Sequence, residues 1–542
     1  MKPNFFITFR SVVLITAMAV IVSLCAAVDA SARPDMVIAV NKLPRSLEPA
    51  DKTGNVDVRV TYSIFDTLIR RDFMNPMADG GVRLVPLLAE SWKRIDPRTL
   101  EVKLRRGVKF HNGSELTADD VLFTFSPERL WGKKSVIPNG RRYFGHLDRV
   151  EKIDPYTVRF VTKEPDLVFE HRLSTYTSWV INAQEWLKYK DQVAKENAGK
   201  PKDKQANWLD VALKAAAWNP IGTGPYKFVG WKKNNFVKLA ANDDYFMGKP
   251  AAETITFKAV PEVATRIAGL VSGEFDIVVD VPPDQIAVLN RYPDIDVRSV
   301  VLENTHVVVF NTQHPVLKDK RVRQALSLAI DRDLLRKSLW LGKNFTPKGH
   351  QLPAFGPMYN KNRKGYPYDP EKAKTLLAES GYKGEEVSYR LIPAYYLNGL
   401  EAAQIIQEMW RKIGFNVKLQ MVENFKQKRT KDAAIYAWSN SYRLPDPTGA
   451  IYVLWGVESA IQKKYKYWRS KEFNDAAAIV LKSGDMQERY TQFQKMLDIF
   501  EDEMPMTMLY NPLVTFGVRK KIAWTPYELY FMDFRPDNLK IQ

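Results

Sequence analysis

Six histidines (His111, His146, His171, His306, His314 and His350) are the side chains best suited to hold a metal or move a proton near neutral pH. No two stand four residues apart and no H-E-x-x-H occurs, so zinc hydrolysis lacks its minimal ligand pair. No G-x-S-x-G elbow presents a serine, which argues against an α/β-hydrolase. No G-x-x-x-x-G-K-[ST] loop is present to cradle nucleotide phosphates. The acid pairs Asp119-Asp120 and Asp243-Asp244 read as a helix start and a surface turn, since nothing in the sequence marks them as a buried dyad. Cys25 is the only cysteine and lies near the N-terminus. If the leader is removed, disulfides, cysteine zinc sites and thiol catalysis go with it. The readily recognised kinds of enzyme are therefore removed.

The elements that must position any binding groups alternate between strand and helix. Met36 to Val40 reads as a short strand, and Thr99 to Phe110 alternates through Leu100, Val102 and Leu104. Thr117 and Asp120 have capping-box spacing just before an apolar run, which predicts a helix start. Strands are expected at 157–162, 236–241, 254–260 and 275–281. A helix is expected at 262–272, closed by Gly273 in the left-handed conformation. Residues 190–208 are rich in Lys, Asp, Gln and Gly and read as a solvent-facing insertion. Val307 to Phe310 is a β-branched run ending at Asn311, and 320–340 carries one long helical spacing. Further helices are expected at 369–380, with Pro370 in the first turn and Gly381 after the end, at 400–413 before Gly414, and at 485–500. A strand is expected at 415–422. Such alternation implies an α/β architecture.

The N-terminus looks like an export signal. Lys2 and Arg10 precede a nearly unbroken apolar stretch from Ser11 to Val28, and Ala30-Ser31-Ala32 gives the small-residue exit. The expectation is a signal peptide over 1–32. The alternatives are an uncleaved anchor, or lipidation at Cys25, for which the large Leu24 is a poor neighbour. At 542 residues the chain is long enough for two or more lobes. The net charge of +18 is spread among 62 acids with no basic run, so it reads as a solvated surface with no nucleic-acid partner.

Several segments closely resemble the bacterial family-5 extracellular solute-binding proteins, which include the oligopeptide- and dipeptide-binding proteins. They are Leu88-Ala89-Glu90-Ser91-Trp92, the run from Lys103 to Gly113, and Thr117-Ala118-Asp119-Asp120-Val121. Pro220 to Tyr226, Ser272 to Ile277, Asn311 with Arg321 to Leu326 and Ala329-Ile330-Asp331, and Trp438 with Asp446-Pro447 follow in family order. The resemblance implies a two-lobed periplasmic binding protein fold with a hinge and an extra subdomain in lobe I. It also implies two crossings, near Val307 to Asn311 and near Met508 to Pro512. Lobe I would then comprise 33–306 and 509–542, and lobe II 307–508. It further implies a periplasmic, monomeric capture component of an ABC importer, a non-enzyme that closes on its solute by shape, hydrogen bonds and charge, works with permease and ATPase subunits and needs no cofactor.

The same resemblance directs attention to 437–455. In peptide-binding relatives an aspartate a few residues after the matching tryptophan pairs with the peptide's α-ammonium. Here Trp438 is followed by Ser439, Asn440, Ser441, Tyr442 and Arg443, and no acid appears until Asp446. An ammonium closed into such a cleft would be costly. Arg443 is instead suited to a carboxylate or phosphate, and Trp438 and Tyr442 to stacking on a ring. The candidate ligand residues are Trp438, Asn440, Ser441, Tyr442, Arg443 and Asp446, with Asn41, Tyr62 and Asn311 from segments bordering the cleft. Peptides are the family default. Sugar derivatives and opines are the alternatives, and an enzyme or chaperone on the same scaffold is the more distant one.

Overall fold

The computed structural model describes residues 33–75, 82–393 and 395–542; the expected leader lies outside them. Two main sheets carry the chain. The seven-stranded sheet takes strands from both ends of the sequence. Met36–Val40 runs parallel to Thr254–Ala259 and Ile277–Val278, and Leu513–Arg519 returns antiparallel between Ile277–Val278 and Ile295–Val301. The five-stranded sheet holds Asn304–Phe310 between Ile435–Ser441 and Met506–Tyr510, with Val387–Leu391 and Val417–Met421 beyond. A separate four-stranded antiparallel sheet (Ala89–Asp96, Thr99–Leu104, Leu147–Asp154, Thr157–Thr162) forms the additional subdomain of the first lobe. The architecture is the expected two-lobed α/β fold.

Residues of Asn304–Phe310 alternate between two cores, as side chains on a strand must. Val308 and Phe310 join one apolar cluster, and Val307 and Val309 the cluster on the opposite face. Both faces are covered, which explains why the segment reads as an unbroken β-branched run.

Local signals act as their chemistry dictates. Thr117 caps Ala118–Thr124, with its backbone N–H donating to Asp120 at 3.0 Å. Gly273 ends Val263–Ser272 at φ 86°. Residues 190–208 are almost entirely exposed, as a solvent-facing insertion requires, and consist of the end of the helix Ala183–Asn197 and the connection to Trp208–Trp218. Two regions differ from expectation. The helical spacing at 320–340 is two helices, Lys320–Leu328 and Arg332–Trp340. The Asp331 carboxylate accepts from the Leu334 N–H and caps the second. The apolar period carries across the break because both helices bury residues in the same cluster. The apolar run at 275–281 pairs as a strand only over Ile277–Val278, because Asp280 turns away at φ 54° to meet Arg59.

The chain passes from one main sheet to the other at Leu302–Glu303 and returns at Asn511–Pro512, so the first passage precedes Val307. The β-branched run belongs wholly to the second sheet, which its composition alone does not reveal. The two passages are laced together. Leu302 N–H donates to the Pro512 carbonyl at 3.0 Å, and Asn511 Nδ2 donates to the Leu302 carbonyl at 2.9 Å. Glu303 accepts two guanidinium bonds from Arg71, at 2.5 and 2.7 Å.

Candidate functional site

Between the two main sheets lie two neighbouring cavities that share Asn55, Tyr395 and Tyr396 as walls. The larger, of about 540 Å³, draws Asn41, Arg59 and Asp280 from the first lobe and His306, Trp340 and Tyr396 from the second. That volume falls within the roughly 300–1,000 Å³ usual for small-molecule pockets. Its principal cation is matched: Arg59 donates to both Asp280 oxygens, at 2.8 and 3.0 Å.

The smaller cavity, of about 280 Å³, has a different charge pattern. Arg45 is paired with Asp57 and Lys52 with Asp51. Arg142, Arg429 and Arg443 also line it, and none pairs with a carboxylate among the described residues. The Arg429 guanidinium lies 4.2 Å from the Trp438 ring centroid, and its Nε is buried without a partner. Arg443 reaches across the lobes. Its Nη1 donates to Thr53 Oγ1 at 3.1 Å and to the Tyr143 hydroxyl at 2.8 Å, and its guanidinium stacks 4.6 Å from the Tyr176 ring. Burial pushes Arg142 below its ordinary value, and the neighbouring Arg443 and Arg429 add to the shift against the opposing effect of Tyr143.

Behind this wall lies Lys428, fully buried, its Nζ 4.4 Å from the Phe425 ring centroid and 5.5 Å from that of Tyr396, with no hydrogen-bond partner. Burial, and then Arg429, hold it well below the usual lysine value. Burial, with Lys428 adding to it, pushes His306 down to about 3.

The structure brings Trp438, Ser441 and Arg443 together in the smaller cavity and places Asn41 in the larger. The other candidates are engaged by the protein. Asn440 is fully buried, its Oδ1 contacting His350 Nε2 and accepting from Trp455 Nε1. The Tyr442 hydroxyl meets Thr305 at 3.2 Å. Asp446 pairs with buried Arg489 and accepts from Thr448 N–H. Tyr62 stacks on Phe531 at 4.4 Å with Arg535 on its ring. Asn311 Nδ2 donates to the Lys431 and Ala433 carbonyls. On the strand Ile435–Ser441, alternation puts Ser439 and Ser441 toward the cavity and Asn440 toward the core, while Trp438, on the side of Asn440, also reaches the cavity wall. Arg142, Arg429, Tyr395 and Tyr396 escaped sequence reasoning. Each lies on a polar or short segment whose approach to the cleft depends on the crossings.

The family model for bacterial extracellular solute-binding proteins, family 5 Middle, matches residues 83–459. The dipeptide-binding protein of Escherichia coli strain K12 is 28% identical over 468 residues, covering 82% of this chain and 84% of that protein. Heme-binding protein A of Haemophilus influenzae is 28% identical over 450 residues, covering 79% and 78%. Among solved structures, the dipeptide-binding protein of Pseudoalteromonas sp. SM9913 in complex with Met-Leu superposes with a TM-score of 0.80 at 22% identity, covering 94% of this chain and 100% of that one. AgaA of A. tumefacien R10 in complex with agropinic acid gives 0.75 at 22% identity, covering 94% and 99%. At these identities the structural likeness speaks for the fold.

Proposed function

Because the chain belongs to the bacterial extracellular solute-binding proteins of family 5, the capture components of ABC importers, we propose that its inter-lobe cleft takes up a peptide or peptide-like solute. The observation that carries this reading is the cleft itself. Each cavity is walled by both lobes, so a bound solute would touch groups on either side of the two passages. A ligand that bridges two bodies joined by a hinge shifts their population toward the closed form. We place the hinge at Leu302–Glu303 and Asn511–Pro512, where the chain passes between the two main sheets, which would give a first lobe of 33–302 and 512–542 and a second of 303–511. The protein would act as a periplasmic monomer and deliver its solute to permease and ATPase subunits without chemical change. The di- and tripeptide-binding relatives support a peptide-like solute, and the polar, aromatic walls suit oriented capture.

Native mass spectrometry of freshly purified protein tests this. Retention of one small solute, together with thermal stabilisation when it is added back, is the expected result. Recovery of chemically altered product, or of heterogeneous unfolded chains, would count against the reading.

A further inference from the structure

The two cavities are not equivalent in charge, and the difference specifies one end of the solute. In the larger cavity Arg59 is paired with Asp280, and Arg266 donates to the backbone carbonyls of Val260, Pro261 and Asp280, while Asp284 and Glu401 add further acids to its wall. In the smaller cavity Asp51 is the one acid among the lining residues, and Lys52 occupies it. Three guanidiniums remain: Arg142 from the first lobe, Arg429 and Arg443 from the second. The partners they do have are neutral: Thr53 and Tyr143 for Arg443, and the Trp438 ring for Arg429. The Nε atoms of Arg429 and Arg443 are buried with no acceptor. A buried donor on a charged group without an acceptor is costly, and so are like charges gathered in a partly enclosed space. A ligand bearing concentrated negative charge relieves both costs at once, and guanidinium forks are shaped for carboxylate and phosphate oxygens.

The geometry points to the smaller cavity as a subsite for a doubly negative head group, so that the preferred solute is a peptide-like molecule whose amino end is capped or replaced by a phosphoryl group or a pair of carboxylates. This inference rests on the reading of the cleft as the solute site. An unmodified α-ammonium would meet Arg142, Arg429 and Arg443 with no free carboxylate beside it, whereas a dianion would bridge guanidiniums from both lobes. The head group would then also draw the lobes together, with the remainder of the solute extending past Tyr395 and Tyr396 into the larger cavity.

Isothermal titration of the full protein with three probes tests this: Ala-Ala-Ala, phosphonoacetyl-Ala-Ala, and Ala-Ala carrying a tricarballylyl cap. We expect the dianionic probes to bind at least about tenfold more tightly than Ala-Ala-Ala, since a charge-assisted hydrogen bond is worth roughly 10- to 100-fold. Whichever capped probe binds better identifies the head as phosphoryl or dicarboxylate. The preference should weaken with added salt and vanish in the Arg142→Gln/Arg429→Gln double variant. The Arg142→Lys/Arg429→Lys variant, which keeps the charge, should recover part of it, and thermal melts of both variants establish that they are folded. Tighter or equal binding of Ala-Ala-Ala overturns the head-group assignment while leaving the cleft reading intact, as does a preference that survives in the Gln variant. Equal loss in the Lys and Gln variants overturns charge as its cause. If no probe binds, the assignment also fails, and the mass-spectrometric test above decides separately whether the cleft holds another solute.

Discussion

Asp446→Asn separates a structural carboxylate from a ligand contact. Asp446 Oδ1 accepts the Thr448 N–H at 2.8 Å, and an asparagine oxygen can keep that bond. What the change removes is the negative charge facing Arg489. The side chains of the pair are 4% and 1% exposed, so water cannot replace the lost partner. Removing one member of a buried pair costs about 3–5 kcal/mol, because the remaining charge is stranded. For a lobe of some 200 residues, each kcal/mol lowers the melting temperature by about 2–4 °C, so a fall of roughly 10 °C is expected. The companion change Arg489→Met removes the stranded cation, and the double variant should regain about 2 kcal/mol or more, a coupling that a double-mutant cycle measures directly. Scanning calorimetry gives the melts and isothermal titration gives affinity for the retained solute. Unchanged stability with lost affinity would refute this reasoning and make Asp446 a ligand contact.

Arg443→Ala should favour the open form by about 1–2 kcal/mol, since it deletes hydrogen bonds to Thr53 and Tyr143 across the cleft; small-angle scattering should show a larger radius of gyration with little change in lobe stability. Lys428→Met should stabilise the protein by about 1–3 kcal/mol, because it exchanges a buried amine without a partner for an apolar chain of similar length; a higher urea midpoint is the check. Burial holds His111 and His350 down at about 4, so between about pH 6.5 and 4 the unfolded chain binds protons that the folded one does not. Stability should therefore be fully present above about pH 6.5 and fall as the pH drops to about 4, by up to about 3 kcal/mol for each histidine. Urea midpoints at pH 7.5, 6 and 5 should follow that order, and His350→Gln should flatten the trend.

Much of the fold was legible because its signals are local. The Thr117–Asp120 cap, Gly273 after its helix, and the strands at 36–40, 157–162 and 236–241 depend on neighbours within a few residues. Where reading failed, a distant partner decided the outcome. Asp280 leaves its strand for Arg59, more than 200 residues earlier, and the apolar period across Asp331 persists because one core serves two helices.

Composition and motif spacing by themselves determined the α/β class, the family likeness and the absence of familiar catalytic patterns. The family resemblance directed attention to the segment that holds Trp438, Ser441 and Arg443, which line the smaller cavity. Tertiary structure alone decided which polar groups are left for a solute. Asn440, Tyr442 and Asp446 stand in the same short segment as Arg443, yet His350, Thr305 and Arg489 occupy them. Arg142 and Arg429 come together from positions nearly 300 residues apart, and whether a charge has a partner is settled in space, by which side chains the two crossings bring within a few ångströms.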